Sequence, residues 1–427
     1  MTGGSKMKKK LLSIISLFLT VILLVSCSGQ TTGSQSTSGK TKDGKKVAQG
    51  VTDKEIRVGL TGPQTGPVAE YDKVRKGVQA YFNYVNDNGG VNGRKLKLIA
   101  YDDQYQPAKT LQGIQRLIDQ DKVFSIIYPI GTANIAASLS LLQKTGIPVT
   151  GLGTGADKFV NPPIKNIFGG TFNYVVEAKV FLDYSVNKLH AKKIAIAYQN
   201  DDFGKQGLEA VKKNINKYKG VSIVKEVPFL ATDKEFSSQA QQLKEANADV
   251  IIMNSTPAPA AGLRKEMHKI GASDIPFIVS QTGGADKNQF NLAGNDAWEG
   301  TISSIVYPTY ETQLDDPEVK KYVDTVTKDF GKETLGALSE GAWSTAQIYV
   351  EGLKRTGDDL TWENFINKMN TFDNWNGSFY PNINYSEKHH YGNTTLYLIQ
   401  AKGGALVPIT DPIYYDADKE EIIYKDK

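Results

Sequence analysis

Few residues in this chain of 427 are spaced for chemistry. Gly151-Leu152-Gly153-Thr154-Gly155-Ala156 fits the loose pattern in which a glycine-rich turn opens a helix and cradles a pyrophosphate. The residues that follow run to Asn161-Pro162-Pro163, which cannot carry a helix onward. The stretch reads instead as a turn whose backbone N–H groups point outward from a strand end, a place that suits a carboxylate or another polar ligand group. Ala337-Leu338-Ser339-Glu340-Gly341 has the outline of a nucleophile elbow. It lies inside a helical pattern of Leu335, Leu338, Ala342, Tyr349 and Leu353, not on a strand-to-helix turn. Glu340 and Asp373 have no spacing that makes them a working carboxylate pair. Four histidines (His190, His268, His389, His390) and a single cysteine leave little for a transition-metal site. His389 and His390 adjoin each other in a polar stretch and read as surface residues. No Walker A, metal-ligand cluster or metalloprotease pattern occurs. The chain therefore reads as a non-enzyme, and neither a metal nor a cofactor is expected.

The lone cysteine, Cys27, closes a different pattern. Lys8, Lys9 and Lys10 precede a mostly apolar run from Leu11 to Val25, and Ser26 stands just before the cysteine. A charged start, an apolar stretch of about 15 residues and a small residue at the cut make a signal peptide over 1–26. The run is shorter than the roughly 20 apolar residues of a stable membrane span. Leu24-Val25-Ser26-Cys27 resembles the lipobox of bacterial lipoproteins. The resemblance implies cleavage before Cys27 and diacylation of its thiol, which ties the body to a membrane on its outer side. The chain is formally +4 and residues 1–26 hold four lysines and no acid, so the body is 4 − 4 = 0. A neutral exported body does not point to nucleic acid as a partner. Without a second cysteine no intramolecular disulfide can form.

Residues 27–53 are largely Ser, Thr, Gly, Gln and Lys and read as a flexible tether. From Glu55 onward strands alternate with helices. Ile56–Leu60 is a short apolar strand; Val74, Val78, Tyr81, Phe82 and Val85 follow at helical spacing and stop at Asn88-Gly89-Gly90. Strands read again at Leu96–Tyr101, Val123–Tyr128 and Ile147–Thr150. The same grammar restarts near residue 175, with strands at Lys193–Tyr198, Ser222–Phe229, Asp249–Met253 and Pro276–Ser280. Apolar strands separated by helices indicate parallel sheets covered on both faces, an α/β fold. About 375 residues exceed one core and suit two.

From about residue 54 the chain resembles the branched-chain amino acid (Leu/Ile/Val) type of substrate-binding protein of ABC importers, the type I periplasmic binding fold. The matching segments are Ile56-Arg57-Val58-Gly59-Leu60, Thr65-Gly66-Pro67-Val68-Ala69-Glu70-Tyr71, Asn86-Asp87-Asn88-Gly89-Gly90-Val91-Asn92-Gly93-Arg94-Lys95-Leu96 and Tyr101-Asp102-Asp103. Gly146-Ile147-Pro148-Val149, Lys193-Ile194-Ala195-Ile196, Asp202-Phe203-Gly204, Thr232–Ser237 and Glu299-Gly300 follow in family order. The resemblance implies two doubly wound parallel-sheet lobes joined by a three-strand hinge. Lobe one would be 54–172 plus 304–372, and lobe two 173–303 plus 373–427.

It also implies a ligand site between the lobes. Tyr71 takes an aromatic position after the first Gly-Pro loop. Gly131 and Thr132 open the helix that holds a ligand carboxylate. Gly153 and Thr154 form the second carboxylate-binding turn, and Phe203 adds an aromatic group from lobe two. Gln281 stands where the founding members carry an acid against the ligand's ammonium. A glutamine brings no charge there, so an amide, a carboxylate without an amine, or an aromatic acid competes with an amino acid as ligand. The expected protein is a monomeric, lipid-anchored solute-binding protein on the outer face of the cell membrane or in the periplasm. It would capture a small polar organic solute by hinge closure and deliver it to an ABC permease. A ligand sensor on the same fold is the alternative.

Overall fold

Ile56, Val58 and Leu60 alternate inward along the strand Glu55–Gly62 and are essentially without solvent contact. Such a strand needs cover on both faces, and the chain supplies it. In the computed structural model, which describes residues 39, 40, 44, 46–307 and 309–424, this strand is interior to a five-stranded parallel sheet. The order is Lys95–Asp102, Glu55–Gly62, Ser125–Ile127, Val149–Leu152, Ile167–Gly169. The helix Asp72–Asp87 buries Val74, Val78, Phe82 and Val85 and packs along the helix Ala337–Thr356. Cys27, the signal peptide and most of the tether lie outside the described residues.

The second sheet has nine strands and is only partly parallel. Ser222–Phe229, Lys193–Gln199, Val250–Asn254, Phe277–Val279 and Ile302–Ile305 run parallel. Thr395–Lys402 then adds antiparallel to Ile302–Ile305, and Ala405–Pro408, Ile413–Asp416 and Glu421–Tyr424 continue as antiparallel hairpins. The parallel strand Val250–Asn254 is wholly buried, as a sheet covered on both faces requires. The antiparallel extension is built entirely from the last stretch of the described chain, Thr395 to Tyr424.

The chain passes between the sheets three times: after Gly169, after Ile305 and before Thr395. The last passage comes later than the expected boundary at 373. The hairpin Asn384–Ser386 and His389–Gly392 packs on the first sheet, where the Tyr385 hydroxyl donates to the Gly169 carbonyl at 2.5 Å. His390 belongs to this contact and is not a surface residue. It is 2% exposed, its Nδ1 lies 2.7 Å from the Ile167 carbonyl and its ring stacks on Phe168 at 4.3 Å. A two-residue polar pattern could not reveal that the hairpin faces a sheet edge. Ser339 is buried within the helix Ala337–Thr356 and bonded to the Tyr322 hydroxyl at 2.6 Å, as a helical residue and not an exposed nucleophile.

Candidate functional site

The carboxyl ends of both parallel sheets converge on one small pocket. It is lined by Tyr71, Gly131, Thr132 and Gly153 from the first sheet's loops, and by Tyr174, Phe203, Thr256 and Thr282 from the second sheet's, with Tyr105 and Ile130 completing the wall. Parallel strands place ligands at this end because the loops and helix N-termini that follow them point there. Only about 10 Å³ of solvent-sized space remains, roughly one water position. The two halves are closed on each other around it.

Each wall residue is held by its local backbone. Gly131 has φ of 101° and its N–H donates to the Gly153 carbonyl at 3.2 Å. A Cβ there would lie 2.8 Å from the Tyr105 ring and 2.9 Å from Asn134 Oδ1. Gly131 thus lets the helix Thr132–Thr145 begin directly at the pocket. No side chain caps that helix, so its first N–H groups and Thr132 are available to an anionic group. The helix Asp202–Ile215 differs. Asp201 already accepts from the N–H groups of Phe203 and Gly204 at 3.0 and 3.1 Å. On that side the site offers the Phe203 ring, which packs 5.0 Å from Tyr174.

Sequence patterns missed five wall residues, Tyr105, Ile130, Tyr174, Thr256 and Thr282, and Tyr105 is held in the most unusual way. Gln104 and Tyr105 have φ of 51° and 60°, a left-handed pair that costs on the order of 1 kcal/mol per residue or more for non-glycines. Asp102 and Asp103 hold it: their Oδ1 atoms accept from the N–H groups of Gln104 and Tyr105 at 3.0 and 2.9 Å. Buried Asp103 is anchored in turn by the Thr110 hydroxyl at 2.8 Å, which accepts from Asn134. The Asp pair at the strand end therefore aims an aromatic ring at the pocket. Burial, followed by nearby tyrosines and acids, keeps the Tyr71 and Tyr105 hydroxyls well above the ordinary phenol range. Both remain neutral donors.

Five of the seven expected residues, Tyr71, Gly131, Thr132, Gly153 and Phe203, meet at this pocket. Thr154 stands one layer behind. It lines a neighbouring small void, and its hydroxyl is 2.7 Å from that of Thr132. Gln281 does not line the pocket. Its N–H donates to Glu177 Oε1 at 2.7 Å and its own Oε1 is buried without a partner. The next residue, Thr282, takes the wall position, because one step along the short helix Gln281–Gly284 turns a side chain through a large angle. No acid is among the pocket's wall residues. The nearest buried carboxyl in that loop region is Glu177, raised to about 7 by burial and bonded by Ser304 and the Gln281 N–H.

Several polar contacts join the halves near the pocket, among them a Tyr105–Gln199 hydrogen bond and a Lys287–Glu311 approach of 3.9 Å. Lys158 reaches Asp202 at 3.0 Å, and Asn288 donates to Glu70 at 3.3 Å. The Lys158–Asp202 pair is exposed enough to be weak.

Residues 55–405 match the family model described as periplasmic binding protein. Among curated relatives, the Leu/Ile/Val-binding protein homolog 3 of Brucella melitensis is 25% identical over 307 residues, 71% of this chain and 80% of that protein. A branched-chain amino acid ABC transporter structure from Thermus thermophilus with bound valine superposes with a TM-score of 0.78 at 20% identity. The alignment covers 85% of this chain and 97% of that one. A fatty acid ABC transporter substrate-binding protein from Thermomonospora curvata superposes with a TM-score of 0.80 at 22% identity, covering 90% and 98%. The two structures share the type I periplasmic binding fold with this chain, and their named ligands differ in having or lacking an amine.

Proposed function

The chain belongs to the periplasmic binding protein family, and from that premise we propose that it is a solute-binding protein whose ligand carries a carboxylate and needs no amine. The observation that carries this is the pocket wall. One end presents the uncapped helix start at Thr132, suited to an anion. The aromatic rings of Tyr71, Tyr105, Tyr174 and Phe203 suit an apolar body. No wall residue brings the negative charge that would pair an ammonium. Thr282 and Thr256 offer only neutral oxygens at the second sheet's side.

In this reading the ligand enters an open form, touches Thr132 from one half and Phe203 and Thr282 from the other, and favours the closed form by that differential contact. Thr154 acts through Thr132. Lobe one is 54–172 with about 304–392, and lobe two is 173–303 with about 393–427. Cys27 carries the lipid that keeps the protein at the outer face of a membrane. The closed form delivers its solute to an ABC permease, and the protein performs no reaction of its own.

Calorimetry with leucine and its deaminated counterpart, 4-methylpentanoate, tests the ligand reading. The acid is expected to bind at least as tightly as leucine. Strong leucine binding with no binding of the acid would overturn the reading. Thermal unfolding supplies a second readout, since ligand at 100 times its dissociation constant stabilises the fold by about 2.7 kcal/mol.

A further inference from the structure

A second cavity, of about 530 Å³, lies beside the passage from the second sheet to the first. Glu340, Tyr307, Tyr310, Gln347, Phe379 and Tyr397 are among its walls, and none of its wall residues lines the pocket between the halves. Its size falls in the range of small-molecule sites, roughly 300–1,000 Å³. We infer that this cavity is a binding site for an organic cation, a primary or quaternary ammonium on an apolar body.

Three features of the wall support this. Glu340 is 2% exposed, although it faces the cavity from the helix Ala337–Thr356. Its Oε1 accepts from the Tyr310 N–H at 2.7 Å, with Tyr307 as a second partner. Glu311 and Asp286 add like charge around it, and among the described residues no cation lines the cavity beside it. Burial first, and then Glu311, raise Glu340 to about 8. A cation brought in from outside favours the ionised form of such a buried carboxyl and draws it out of its neutral state.

The second feature is the aromatic wall. Tyr307 lies 5.9 Å from Phe379 and 5.4 Å from Tyr380, ring centre to ring centre. Tyr310 packs edge-on against Tyr322 at 6.1 Å. Faces of such rings attract ammonium groups, more strongly where water is excluded. The third is the charge of the rim. Asp316 and Glu318 line the cavity, and no lysine, arginine or histidine does. Asp316 caps its helix and Glu318 pairs with Lys321, so neither supplies the inner charge.

The test titrates the full folded chain with benzyltrimethylammonium, phenethylamine and the uncharged 2-phenylethanol by calorimetry, with and without saturating 4-methylpentanoate or leucine for the pocket between the halves. The two ammonium probes are expected to bind about tenfold tighter than the alcohol, a factor in the range that a buried cation–π contact supplies. Glu340→Gln keeps the acceptor for the Tyr310 N–H and is expected to erase that preference. Tyr310→Leu, which leaves Glu340 in place, is expected to weaken the quaternary probe severalfold. Equal binding of alcohol and ammonium would overturn the inference, as would an ammonium preference that survives Glu340→Gln. Competition between the probes and the other pocket's ligand would place them there, and no heat from any probe at millimolar concentration would mark the cavity as a solvent-filled void. Either result ends the proposal while leaving the solute-binding reading intact.

Discussion

The hydroxyl oxygens of Thr132 and Thr154 lie 2.7 Å apart, both buried, at the meeting of a helix start and a glycine-rich turn. Thr154 Oγ1 also accepts from the Ala156 N–H at 3.2 Å. Either hydroxyl can donate across this contact, but of the two only Thr132 lines the pocket, with Thr154 supporting it from behind. Thr132→Ala should therefore weaken a carboxylate ligand by about 1.5–3 kcal/mol, the worth of a bond to a charged group, and Thr154→Ala by only about 0.5–1.5 kcal/mol. Titration calorimetry on both variants and on Thr154→Ser, which restores the hydroxyl, measures the order. An equal or larger loss at Thr154 would place the ligand on Thr154 itself.

Gln281 and Thr282 should behave oppositely. Gln281→Ala removes a buried oxygen that has no partner, so ligand affinity and stability should both stay within about 0.5 kcal/mol of the parent. Thr282→Asp puts a carboxylate on the pocket wall. It should shift preference toward leucine over 4-methylpentanoate, because the added charge pairs an ammonium and repels a carboxylate. Binding ratios for the two ligands in each variant check this.

Gly131→Ala should damage the site more than the fold. The new methyl would press on Tyr105 and Asn134, and alanine resists φ of 101°. We expect a loss of about 1–3 kcal/mol in stability from the strained backbone. Ligand affinity should fall at least tenfold because the helix start and the Tyr105 ring are displaced together. Circular dichroism melts and calorimetry separate the two effects.

Stability should decline as pH rises above the ordinary glutamate range. Burial raises Glu177 from 4.5 to about 7 and Glu340 to about 8. The folded state therefore holds protons that the unfolded state has released. This contribution is complete below about pH 4.5 and is lost as pH climbs through 7 and 8, with a slope of up to about 1.4 kcal/mol per pH unit for each group. Glu177→Gln should flatten its share, since both Ser304 and the Gln281 N–H donate to Oε1, an acceptor that glutamine retains. Denaturant titrations at several pH values compare the slopes.

Cys27 should be the first residue of the mature protein and should carry lipid. Intact-mass measurement of the protein extracted from its native membrane should show residues 1–26 gone and acyl chains added. Cys27→Ala should abolish detergent-phase partitioning yet leave ligand affinity unchanged, because the pocket is built from residues far along the chain.

The two α/β halves were legible in the order of residues. Apolar runs such as Ile194–Ala197 and Val250–Met253, separated by helical spacing, require buried parallel strands whatever the tertiary detail. The helix start at Thr132 was legible too, since a glycine just before a helix acts locally. The five pocket residues that meet in the structure came from the family resemblance, carried over position by position. Tertiary structure alone decided that Thr282 and not Gln281 meets the pocket, because a one-residue offset on a helix changes which side chain points inward. It also buried His390 against Phe168 and the Ile167 carbonyl, carried the hairpin before Thr395 onto the first sheet, and left Glu340 in a cavity without a cation. Each of these depends on segments tens to hundreds of residues apart in the chain. Local periodicity encodes which face of an element is apolar, but it does not encode which distant element arrives to cover that face.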